Sequence, residues 1–203
     1  MTRNYRLLFG PLAALILGFG IIGLALLIPS YSHVHQTVSE IGEVGSPARV
    51  PFAVMLGCVG VCILVFASAV RDVSVAANHH RLAAYLIAFM AVPAVGIGVF
   101  AYPHPAHNIF GLSELIGYQA PLAFALAWRH DPRAKAPVAL SWIFFLLIWG
   151  AIALNLSPFF APVWAYVRPV HGLAQRTLFA AWFGWCAVTG ILLFKRSWQS
   201  SAP

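Results

Sequence analysis

His104 and His107 stand three residues apart in the segment YPHPAHNIFGLSELIGY (102–118), and Glu114 follows seven residues after the second. Two long apolar runs flank the segment. Imidazole and carboxylate groups spaced this way suit a small set of chemistries. Neutral imidazoles hold a metal such as zinc, which needs three protein ligands and an open position for water. His107, His171 and His104 are the candidate ligands, with His33 or His35 able to replace the last. Glu40 or Glu114 would then be the general base. A metal-free triad of Ser39, His107 and Glu40 is the alternative catalytic set, although Ser39 and Glu40 are adjacent and no GxSxG turn presents the serine. Arg176, Tyr118 and Gln175 are the ligand-binding candidates, since a guanidinium holds phosphate or carboxylate bidentately. No HExxH motif accompanies them.

These groups belong to a chain whose solvent is partly lipid. Of 203 residues, 61% are hydrophobic and only 8% charged, with a mean hydropathy of +0.84; ordinary soluble domains carry roughly 25% charged residues. Six apolar runs, at 7–28, 51–70, 82–102, 109–128, 139–160 and 172–194, approach or exceed the ~20 residues that a spanning helix needs. They lack the ~10-residue alternation of barrel strands. The fold expected is therefore an all-α, polytopic bundle of six transmembrane helices in one domain over 1–203. The first run is longer than the core of a secretory signal and lacks a good cleavage site, so it reads as an uncleaved helix. The net charge of +7 does not point to nucleic acid, because the basic residues are scattered and form no stripe.

Instead the basic residues set orientation. Arg3, Arg6, Arg71, Arg81, Arg129, Arg133, Lys135, Lys195 and Arg196 lie at the two ends and in the even connections; the odd ones hold only Arg49 and Arg168. The positive-inside rule then puts both termini in the cytoplasm and the odd connections outside. Cys58, Cys62 and Cys186 lie within apolar runs and read as packing. Gly18, Gly20, Gly23, Gly57 and Gly60 would allow close helix approach. Pro93 and Pro121 are candidate kinks, and Trp164 and Tyr166 suit an outer aromatic belt.

Helical spacing sorts the polar set further. His107, Gly111, Glu114 and Tyr118 follow i, i+4, i+7, i+11 and share one stripe. At 1.5 Å per residue Glu114 lies ~10 Å below His107, and Arg176 ~7.5 Å below His171. A Glu114–Arg176 ion pair is the expectation, since bare intramembrane charge is costly. Alternatively Glu114 is uncharged and Arg176 pairs with Glu40 or Glu43. A short helix over 36–43 would put Gln36, Ser39, Glu40 and Glu43 on one face. His104, between two prolines, falls outside regular helix. Asn155 and Ser157 near the outer end of the fifth span either line the same cavity or hydrogen-bond helices.

Three motifs in order now carry a resemblance: TVSEIG at 37–42, Pro103-x-x-x-His107-Asn108, and Gly172-Leu-x-x-Arg176. The chain resembles the bacterial and archaeal six-helix membrane family known as domain of unknown function 998, over nearly its whole length. The resemblance implies six helices with both ends inside and a shared outward polar set of Ser39, Glu40, His107 and Arg176. It implies no established reaction, and His104 and His171 are not part of its pattern.

The function expected is an inner-membrane protein of bacterial type with an outward-facing polar pocket. That pocket would bind, and in one version hydrolyse, a lipid or lipid-linked ligand, with zinc as the conceivable cofactor. A small-molecule transporter, a haem protein using His107 and His171, and a non-catalytic assembly or sensing protein are the alternatives.

Overall fold

The computed structural model describes residues 4–199; Arg3 and residues 200–203 of the tail lie outside them. Helix accounts for all the regular structure, and no strand occurs among the described residues. Six segments are long and apolar enough to cross a membrane: Tyr5–Ala25, Arg49–Ala76, Leu82–Val99, Pro105–Trp128, Pro132–Asn155 and Ala161–Arg196. Such helices imply a bilayer environment, because only there is so much outward apolar surface favourable. Phe19, Leu26, Leu146 and Ile109 are each more than two thirds exposed.

The first two spans are α1 (Phe9–Ala25) and α2 (Arg49–Ala76). The third is two helices, α3 (Leu82–Phe89) and α4 (Ala91–Val99), and the fourth is α5 (Pro105–Gly117) and α6 (Ala120–Trp128). α7 (Lys135–Asn155) is the fifth. A short α8 (Ala161–Val167) leads into α9 (His171–Gln199). Both expected kinks occur, and their position follows from proline chemistry. A proline lacks an N–H and clashes with the carbonyl four residues back. For Pro93 that residue is Phe89, where α3 ends; for Pro121 it is Gly117, where α5 ends. The Gly117 carbonyl, released from the helix ladder, accepts the indole N–H of Trp182 at 3.2 Å.

Span boundaries moved where caps decided them. The fourth span begins at Pro105, four residues before its expected start, because His104 caps it: the Ala106 N–H donates to His104 Nδ1 at 3.1 Å and Pro105 takes the first helical position. The fifth span stops at Asn155, since Ser157–Phe159 is a 3-10 turn carrying Pro158. In place of the short α-helix expected at 36–43, the first connection holds a 3-10 turn, Val38–Gly42. Of the glycines expected to allow close approach, Gly20 does so against Met55 and Gly60 more loosely against Val95, while Gly18, Gly23 and Gly57 face open space; further tight approaches occur elsewhere. A Cβ at Gly10 or Gly190 would meet the Cys186 or Leu7 carbonyl oxygen, so α1 and α9 pack backbone to backbone there.

The spans form a closed ring in chain order. α1 packs on α2, α2 on α3 and α4, α3 on α6, α4 on α5, α6 on α7, α7 on α9, and α9 back on α1. Half of the ring's interior, toward the termini, is filled by large aromatic groups. Trp128, Trp182, Trp185, Phe124 and Phe66 are all fully buried. Phe124 stacks on Trp128 at 5.1 Å, and the Trp185 indole donates to Ser141 Oγ at 2.8 Å. Asp131 clamps this end. It takes Arg196 at 2.6 Å, His79 at 3.3 Å and the Arg133 N–H at 2.8 Å, and Arg196 lies over the Trp128 ring. Burial pushes the Asp131 carboxyl up, but the hydrogen bonds from Arg196, the Arg133 amide and His79 outweigh it and hold the group at about 2. One carboxylate thus ties both even connections to the end of α9.

Candidate functional site

The other half of the ring, toward the odd connections, holds a partly open cavity of about 510 Å³. Every span except the paired α3–α6 half contributes a wall: Leu17 from α1, Ile63 from α2, Ala94 from α4, the α5 stripe, Ile152 from α7 and Phe183 from α9. The predicted stripe is intact, because His107, Gly111, Glu114 and Tyr118 all line it. From His107 to Tyr118 the stripe runs ~16 Å along the helix axis, about half of a ~30 Å hydrocarbon core. Below Tyr118 the space ends, where the Trp182 ring stands edge-on to Tyr118 and Phe183.

The first connection folds over the ring end and is held there by the other two. Val44 N–H donates to the Tyr102 carbonyl at 2.9 Å, Leu173 N–H donates to Val34 O at 3.3 Å, and His35 Nδ1 meets Pro169 O. Val38 and Ile41 point inward and are buried. The Val38 N–H donates to Gln175 Oε1, so Gln175 holds the turn as well as lining the cavity.

That turn brings Ser39 and His107 together. Ser39 Oγ is 3.0 Å from His107 Nε2, and His107 Nδ1 is 2.9 Å from the Phe100 carbonyl oxygen. A carbonyl offers no proton, so Nδ1 carries the ring hydrogen and Nε2 receives the Ser39 hydroxyl. His107 is only 5% exposed; the prolines and His104 at the helix start aim it inward. Glu40 does not complete the triad. A 3-10 turn has three residues per turn, which swings Glu40 away from Ser39, and its Oε1 accepts from Thr37 N–H and Oγ1 at 3.1 and 2.9 Å. Phe100 O takes the orienting position that Glu40 was expected to fill.

The expected Glu114–Arg176 pair is absent. Glu114 Oε2 accepts the Tyr118 hydroxyl at 2.7 Å on the cavity wall. Arg176 points the opposite way, toward the first connection. Its NH1 donates to Gln36 O at 2.7 Å and Gly172 O at 2.9 Å, and its NH2 donates to Tyr31 Oη at 2.6 Å. No carboxylate lies within ion-pair distance of it among the described residues, which excludes the Glu40 and Glu43 alternatives too. Tyr31 in turn donates to Thr37 O at 2.6 Å. Burial pushes the Tyr31 phenol up, against the pull of Arg176, which keeps it a neutral donor. Burial and the same guanidinium push His33 down, and His33 packs edge-on to Tyr31 outside the cavity.

The metal set of His107, His171 and His104 is likewise not assembled. Both His107 nitrogens are engaged, and His104 is an exposed cap. Among the described residues no three His, Cys, Asp or Glu side chains converge as ligands. His171 lines the cavity with a buried Nε2 that has no partner, its ring edge-on to Trp164 at 5.1 Å. Asn155, left open by its sequence position, does both things: it lines the cavity and donates to Ala151 O and Ala174 O. Asn108, which closes the Pro103-x-x-x-His107-Asn108 motif but is not among the candidate site residues, also lines the cavity; the Phe100 carbonyl is a site group that no side-chain pattern reveals.

A family model described as a protein of unknown function (DUF998) matches residues 11–198. No curated protein and no solved structure matches the chain.

Proposed function

We propose that this chain, which belongs to the DUF998 family, is a bacterial inner-membrane protein whose cavity receives a lipid or lipid-linked ligand from the outer leaflet. One observation carries the reading: a cavity one leaflet deep whose polar groups cluster toward the odd connections, with apolar walls deeper in and the mutually hydrogen-bonded Glu114–Tyr118 pair as the polar feature near its floor. Ser39, His107, Asn108 and Gln175 sit toward the odd connections, while Leu17, Ile63, Met90 and Phe183 are apolar walls. Its volume falls in the ordinary range of ligand pockets, ~300–1,000 Å³. An acyl chain fits the apolar part and a polar head the remainder. The buried tryptophans beneath Tyr118 weigh against a transport path, which needs polar groups at both ends.

Filling the cavity tests this directly. Gly111 lies on the stripe, and a Cβ there meets open space, so a larger side chain starts into the cavity free of any clash at its Cβ. Protein purified in mild detergent is expected to retain lipid detectable by native mass spectrometry, and Gly111→Phe to lose at least tenfold of it at unchanged thermal stability. Equal retention by both proteins would overturn the pocket assignment. The outward orientation rests on the basic residues at the termini and even connections. A reporter active only in the periplasm, fused after Pro203, is expected to be inactive, and a cytoplasm-dependent one active; the reverse pattern would turn the pocket inward.

A further inference from the structure

The geometry points to Ser39 and His107 as a catalytic dyad that cleaves the carboxylic ester of a long-chain acyl group, a step that rests on the pocket reading above. Four observations converge on it. The hydroxyl and imidazole are in hydrogen-bond contact at 3.0 Å, within the range of a nucleophile and its base. The Phe100 carbonyl fixes the tautomer in which Nε2 is the acceptor, the orienting role that a carboxylate fills in a triad. Ser39 is half-buried and lines the cavity, so its oxygen is reachable from the ligand side. The cavity leads from that oxygen into apolar walls, which suits an acyl chain whose carbonyl stops at Ser39.

A purely structural hydrogen bond would need none of this. Ser39 is already positioned without His107, since its turn is fastened by Val38 to Gln175 and by Thr37 to Glu40. Gln175 Oε1 is occupied by Val38 N–H, which leaves its NH₂ end as donor; Asn108 offers a second amide on the same cavity. These are the groups available to a developing oxyanion.

The chemistry balances with water as the only co-reactant. Ser39 Oγ attacks the ester carbonyl carbon while its proton passes to His107 Nε2. The bond to the alcohol oxygen breaks, and the Nε2 proton leaves with that alcohol. An acyl ester on Ser39 Oγ remains. Water then attacks the same carbon, gives a proton to Nε2, and the carbon–Oγ bond breaks. The carboxylic acid departs and Ser39 regains its proton. His107 ends as it began.

An alkyl fluorophosphonate, which reacts with activated serine hydroxyls and loses fluoride, tests the dyad on the full chain in detergent. Mass spectrometry is expected to find the adduct on the peptide containing Ser39. Ser39→Ala should give no adduct there, and His107→Ala or His107→Gln should slow its formation at least a hundredfold. Each variant is checked by thermal unfolding, and the wild-type adduct position decides even where a variant fails to fold. Gly111→Phe should slow a long-chain probe far more than a short-chain one. No Ser39 adduct on wild-type protein that still retains lipid would overturn the dyad and leave the pocket standing. A Ser39 adduct formed equally fast with both chain lengths in wild type and Gly111→Phe would overturn the pocket and the acyl specificity built on it.

Discussion

Gly172→Ala is expected to destabilise the protein by about 3 kcal/mol and to release the first connection from the ring end, at the upper end of what overpacking costs. Gly172 is the second residue of α9 and the first connection crosses directly above it. A Cβ at this position falls on the carbonyl oxygens of Gln36, His33 and Val34. All three are backbone atoms, so no side chain can swing aside to make room. Leu173 N–H donates to Val34 O in the same contact, and any outward shift of the connection lengthens that bond. Ser39 sits three residues beyond Gln36 in the displaced segment, so its contact with His107 should be lost too. Thermal unfolding in detergent and protease cleavage within 30–45 measure the two effects. Gly111→Ala, on the open side of the cavity, is the control and should melt like wild type. A Gly172→Ala protein as stable and as resistant as wild type would show that the connection does not depend on this approach.

Arg176→Met should cost a similar amount for a different reason. The methionine keeps the apolar stem but removes a guanidinium that spans Gln36 O, Gly172 O and Tyr31 Oη. Bonds to a charged donor are each worth about 1.5–3 kcal/mol net and do not add fully, so a loss of about 3 kcal/mol is expected. Arg176→Lys should recover less than half of it, because one ammonium cannot reproduce the planar fork. Tyr31→Phe should destabilise by about 1 kcal/mol alone and by much less in the Arg176→Met background, since the two share one network. Thermal unfolding of the four proteins gives the cycle. If Arg176→Met melts like wild type yet loses bound lipid, the guanidinium is a ligand group and not the tie between α9 and the first connection.

Arg176 also shows where a sequence stops being informative. Depth along a helix is readable from numbering, and numbering alone puts Glu114 and Arg176 at similar depth. Direction is not readable, because it depends on how each helix is rotated in the ring. The helix that carries Arg176 turns it toward the first connection, where backbone carbonyls without hydrogen atoms to donate can satisfy it. Glu114 faces the cavity and is met by Tyr118 from its own helix, one turn away. Glu40 fails for a local reason: adjacent residues diverge by roughly 100° or more in any helical turn, and Thr37, one 3-10 turn back, holds the Glu40 carboxylate through its N–H and hydroxyl. His104 and His107 part company at the helix start, where one becomes the cap and the other the first inward group.

The sequence by itself determined the six spans and the stripe from His107 to Tyr118. Those follow from apolar run length, from proline's missing N–H and from the 3.6-residue period, all properties of neighbouring residues. The positions of the helix breaks at Phe89 and Gly117 follow in the same way from Pro93 and Pro121. Only the tertiary structure decided that Ser39 meets His107 across 68 residues of chain, that a Phe100 carbonyl orients the ring, and that tryptophans close one half of the bundle while the other half stays open. Such contacts depend on helix rotation and on the path of a connection, and those are set by close packing among all six spans at once.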